Sequence, residues 1–108
     1  MADGYNTQIL WIDLTEEKTE IREPGEEVMR KYIGGAGLAA KILWEETSAD
    51  TEPFAPENLL IFMTGPLTGV VQQSSRHIVA SLSPLTNIWG RAHSGGSCPL
   101  ILSKTIYM

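Results

Sequence analysis

The chain has 108 residues, a formal charge of −5, 43% hydrophobic and 19% charged residues, and one cysteine. A chain this short is one domain at most, with a core but little spare stability. The lone Cys98 excludes an internal disulfide or a cysteine-built cluster, and no apolar run approaches the ~20 residues of a membrane helix. Met1 to Tyr5 carries neither the basic segment nor the apolar core of a secretion signal, so a cytoplasmic protein is expected.

The charge is segregated along the chain. All 13 acidic residues lie at or before Glu57, with Lys18, Arg22, Arg30, Lys31 and Lys41 against them. From Asn58 onward there is no acidic side chain, only Arg76, Arg91 and Lys104. The acidic first half argues against a general nucleic-acid binder. An anionic ligand is expected on the carboxylate-free half, unless that half is simply a strand-rich core segment.

The predicted elements begin with a β-hairpin. Gln8 to Leu14 is apolar and β-prone, Asp13 to Glu17 forms a turn, and Thr19 to Arg22 returns. Glu26 to Ile33 reads as a short helix with Val28, Met29, Tyr32 and Ile33 on one side and two glutamates in its first turn. Gly34-Gly35 stops it. A second helix is expected from about Gly37 to Glu46, with a stripe of Leu38, Ile42 and Leu43. Residues 48 to 56, with two prolines, form a loop. Leu59 to Met63 is a continuous apolar run of strand length, read as covered on both faces. His77 to Leu82 is a further strand, and another begins at Asn87 and continues through Ala92. The order hairpin, two short helices, several strands describes an α+β domain. Residues 99–102 and 106–108 are apolar with nothing after them, as in a chain that stops inside a larger protein.

Three stretches could carry chemistry. Gly35-Ala36-Gly37-Leu38-Ala39-Ala40 matches the dinucleotide pattern G-x-G-x-x-A. That mechanism needs a preceding strand and an acid about 20 residues on. Here a helical segment precedes it and Glu57 lies in a loop, which favours a helix stop and restart with close packing. Gly65 to Gly69, between an apolar strand and Arg76, is a turn whose backbone amides can approach an anion. Arg76 offers the planar fork that suits phosphate. His77 and His93 show no metal-ligand spacing with each other or with Cys98, so structural or surface roles are expected for both side chains. No nucleophile-base pair or paired carboxylates stand near the glycine turns.

The chain resembles the N-terminal domain of the aldehyde ferredoxin oxidoreductase family of tungsten- or molybdenum-pterin enzymes. The resemblance rests on Trp11 to Thr15, Tyr32 to Ala39, Pro53 to Ile61, Thr64 to Gly69, Ser83 to Thr86 and Ser94 to Gly96, in that order, over about residues 5 to 96. It implies a sheet-built platform on which a bis-pterin metal cofactor sits. It places Arg76 at an arginine that contacts cofactor phosphate. It places His93 at an asparagine whose main-chain carbonyl helps hold a magnesium ion bridging the pterin phosphates. Histidine can stand there because a carbonyl is the ligand. Ser94, Gly95 and Gly96 would then line the cofactor with main chain. Oxidation of an aldehyde to an acid, with ferredoxin as acceptor, follows from the resemblance. So does a 4Fe–4S cluster in further domains of a longer parent, which could be a homodimer. Residues 97–108 diverge from the family pattern, and the 108-residue chain alone is expected to be inactive. A non-catalytic binding or assembly module, or a decayed gene fragment, is the alternative; a nucleotide binder using Gly35 to Ala40 is a third.

Overall fold

The computed structural model describes residues 8–23, 25–66, 68, 72 and 76–97. Strands β1 (Ile9–Asp13) and β2 (Lys18–Arg22) pair antiparallel, Ile9 opposite Arg22 and Asp13 opposite Lys18. The Asp13 carboxylate accepts the Thr15 and Glu16 amides at 3.0 and 3.2 Å, so the side chain builds the turn. On one face of the hairpin the Arg22 guanidinium lies 3.8 Å from the Trp11 ring centroid. Arg22 also reaches Glu46 at 3.8 Å, which ties the hairpin to the second helix.

Helix α1 (Glu26–Tyr32) is followed almost at once by α2 (Gly35–Glu46). The chain turns between them through Ile33 at φ 70° and Gly34 at φ 144°. Leu38, Ala39 and Leu43 of α2 are buried with Met29 of α1 against Ile61, Met63, Ile78 and Ala80 of the sheet. That sheet comprises β3 (Ile61–Thr64), β4 (His77–Leu82) and β5 (Trp89–Ser94), antiparallel in the order β3-β4-β5. Partners are Ile61 with Ala80, Thr64 with His77, His77 with Ser94 and Leu82 with Trp89. At the far end of the sheet the Asn58 side chain accepts the Leu82 amide and donates to the Leu82 carbonyl, both at 3.3 Å. It thereby continues the ladder without a strand. No helix among the described residues is long and apolar enough to cross a membrane.

The α+β reading and the order of elements agree with the structure; three local expectations do not. The run at Leu59 to Met63 is covered on one face only. Ile61 and Met63 are buried under α2, whereas Phe62 is 48% exposed and Leu60 66%, because in an antiparallel strand alternate side chains leave by opposite faces. Asn87 and Ile88 belong to a turn, since Asn87 has φ 60° and the Ser83 amide donates to the Ile88 carbonyl at 2.8 Å. Ile33 is exposed because the chain reverses at that residue. Residues 98–108, which hold most of the divergent end, lie outside the described residues.

Met63 is 1% exposed and packs between α2 and β4. Met63→Ala should lower unfolding free energy by roughly 2–5 kcal/mol, as for other large-to-small changes in a closed core. Urea denaturation followed by circular dichroism measures it, and a loss below about 1 kcal/mol would mean the helix is not seated on the sheet.

Candidate functional site

The sheet brings the predicted site residues to one of its ends. Thr64 opposes His77 and His77 opposes Ser94, so three strands finish together. Gly65 follows Thr64, Arg76 precedes His77 and Gly95 follows Ser94, so the three leave the same end of the sheet. Between Gly65 and Arg76 stands the Thr68 hydroxyl, 3.4 Å from each backbone partner. His93 opposes Ile78 one step inside the row, and Gly96 follows with φ 85°, in the left-handed region that favours glycine.

The turn between the helices closes one side of this corner. An added Cβ on Gly34 would stand 3.3 Å from the Pro66 Cδ and 3.3 Å from the Thr64 carbonyl oxygen. Glycine is required here both by φ and by close approach, and it sets the start of α2 against the Gly65 turn. No acidic residue occupies the first turn of α2, so the positive end of its dipole is uncompensated at this corner. No strand precedes Gly35, and the G-x-G-x-x-A stretch is a helix restart. At Gly37 an added Cβ would come within 2.7 Å of the Tyr32 carbonyl oxygen, so this glycine is there for packing.

Arg76 is exposed, and among the described residues no carboxylate pairs with it. Contrast Arg22 and Arg30, which hold Glu20 and Glu26 on the acidic half. Beside Arg76 the space next to Gly65 and Gly96 is open, with nothing within 4 Å of an added Cβ. Among the described residues this guanidinium has no protein counter-charge. The His93 side chain is exposed. No group of three or more His, Cys, Asp or Glu side chains able to hold a metal occurs among the described residues.

His77, expected from the sequence to be structural or on the surface, is buried, and Thr68 reads from the sequence only as part of the Gly65 to Gly69 turn. His77 is 8% exposed, and its Nδ1 has no hydrogen-bond partner among the described residues. Thr68 is 9% exposed and its hydroxyl lies between Gly65 and Arg76. The spacing of a threonine three residues after a glycine was the available signal for it. Leu67, Gly69, Ser74 and Ser75 lie outside the described residues. A separate groove of about 240 Å³, lined by Trp11, Arg22, Ile42 and Glu46 among others, lies between the hairpin and α2. It shares none of the corner's residues.

A family model, the N-terminal domain of aldehyde ferredoxin oxidoreductase, matches residues 9–107. The chain is 44% identical over 87 residues to the aliphatic sulfonate oxidoreductase WOR-like subunit of Pyrococcus furiosus, an alignment covering 78% of this chain and 14% of that protein. It is 39% identical over 94 residues to the tungsten-containing aldehyde ferredoxin oxidoreductase of Pyrococcus abyssi, covering 86% of this chain and 16% of the relative. Among solved structures, a chain of the active site complex BamBC of benzoyl coenzyme A reductase, in complex with 1,5-dienoyl-CoA, superposes with a TM-score of 0.91 at 36% identity. That match covers 94% of this chain and 16% of the other. The chain spans about one-sixth of the length of these relatives.

Gly37→Ala tests the packing of the helix restart. Helix propensity alone would gain about 1 kcal/mol, but the clash with the Tyr32 carbonyl should outweigh it and leave the variant about 1–2 kcal/mol less stable. Thermal and urea unfolding of the two proteins decide the sign; a stabilised variant would show that the helices do not meet there.

Proposed function

From a chain that belongs to the aldehyde ferredoxin oxidoreductase family, as its N-terminal domain, we propose a cofactor-cradling part of a tungsten or molybdenum bis-pterin oxidoreductase. The observation that carries the proposal is Arg76, which has no carboxylate partner among the described residues. It stands at the sheet end next to His77, itself opposite Thr64 and Ser94, in a half of the chain without any acidic side chain. Tungsten is named in relatives of the family. When bound, the metal bis-pterin supplies the redox chemistry that turns an aldehyde into an acid, with electrons leaving through a 4Fe–4S cluster of later domains to ferredoxin.

The chain's own residues then bind and orient. The Arg76 guanidinium donates to a pterin phosphate, and its charge is undiminished because no carboxylate competes. Main-chain groups of Ser94, Gly95 and Gly96 line the cofactor where side chains would obstruct it. The carbonyl of His93 is a hard oxygen ligand suited to magnesium, which usually keeps few protein ligands beside phosphate. The start of α2 adds a favourable potential for the same anion. This part of the molecule holds the cofactor and does not select the substrate. Its relatives are named for aldehydes, an aliphatic sulfonate and benzoyl coenzyme A, yet all share this domain.

In a full-length enzyme of this family carrying this chain as its first domain, Arg76→Ala should reduce the tungsten or molybdenum retained on purification. The expected drop is about tenfold in cofactor affinity, as when a charged hydrogen bond of roughly 1.5 kcal/mol is lost. Elemental analysis against protein concentration reads it. Unchanged metal content would remove Arg76 from the site.

A further inference from the structure

We propose that Thr68 is a positioning residue that fixes Arg76 at the sheet end by bridging the last, unmade rung of the β3-β4 ladder. The β3-β4 register ends with Thr64 opposite His77, and the next rung would join Gly65 to Arg76. In its place the Thr68 hydroxyl accepts the Gly65 amide at 3.4 Å and donates to the Arg76 carbonyl at 3.4 Å. The Thr68 amide also donates to the Gly65 carbonyl at 3.3 Å, closing the turn. Since a hydroxyl is donor and acceptor at once, one side chain can satisfy both backbone groups that the missing rung would leave orphaned.

Geometry explains why this matters for the arginine. A direct rung would hold Gly65 and Arg76 at strand spacing and extend the sheet. An inserted hydroxyl separates the two chains, ends the ladder and lets the segment after Gly65 leave the plane. Arg76 stays registered on its other side toward Gly95, through His77 opposite Ser94. Its backbone is thus anchored from both neighbours while its side chain remains exposed. Thr68 itself is buried, so the bridge is shielded from competing water. Each hydrogen bond is long and individually weak. Their effect is to restrict where the guanidinium starts, which lowers the ordering cost of binding an anion.

The inference rests on the reading of Arg76 as a phosphate contact, and the test separates the two. Binding of inorganic pyrophosphate to the 108-residue chain is measured by calorimetry or by amide shifts for the wild type, Arg76→Ala, Thr68→Val and Thr68→Ser. Exchange of the Gly65 amide with solvent is measured in parallel. Thr68→Val keeps the shape and removes the hydroxyl; it should weaken pyrophosphate on the order of three- to tenfold and speed Gly65 exchange. Thr68→Ser should restore both. If Arg76→Ala weakens binding and Thr68→Val does not, Arg76 remains the contact and the positioning role is overturned. If Arg76→Ala binds like the wild type, the phosphate reading falls and takes the role with it. Should Thr68→Val fail to fold, the wild type and Thr68→Ser decide: Gly65 exchange at the free-chain rate in the folded wild type overturns the bridge, and Gly65 protection in both proteins supports it.

Discussion

Antiparallel register in the three-stranded sheet is the constraint on which the rest of the molecule depends. Side chains alternate with a period of two, so a one-residue slip of β4 would turn Ile78 and Ala80 away from α2 and Val79 toward it. The burial of Ile61, Met63, Ile78 and Ala80 beneath α2 holds the register in place. The same pairing that satisfies the core brings three strand ends level. The core and the corner at the strand ends are therefore one solution to one packing problem.

Each end of the sheet is finished by a side chain doing the work of backbone. At one end the Asn58 amide meets both polar groups of Leu82. At the other, a threonine hydroxyl stands between Gly65 and Arg76. Such endings leave buried polar groups partnered while stopping strand growth. His77 is the exception, with a buried ring nitrogen left without a partner among the described residues. That nitrogen lies beside the corner where a charged group is expected, and burial of an unsatisfied polar atom costs about 1–3 kcal/mol.

Much of this was legible in the chain itself. The hairpin was marked by alternation and by Asp13, whose side chain makes the turn. The two helices were marked by their apolar stripes and by Gly34-Gly35 between them. The charge asymmetry pointed to the half that carries Arg76, and the ordered family motifs pointed to the domain. What the pattern could not carry was one-sided burial. Leu59 to Met63 has the composition of a strand sandwiched between layers, and only the placement of α2 shows which face is covered. The turn at Asn87 was hidden because Ile88 and Trp89 read as a strand start, whereas the asparagine takes a left-handed conformation that ends the preceding loop. The hydroxyl bridge needs three residues distant in sequence, so no local pattern announces it.

The uncovered sheet face has a consequence for the chain's behaviour in solution. Leu60 and Phe62 are 66% and 48% exposed, and among the described residues β3 has one neighbour only, leaving backbone donors and acceptors along its outer side. An apolar surface beside an open strand edge is a template for further strands. Such an edge is satisfied only when a further strand or a covering segment pairs with it.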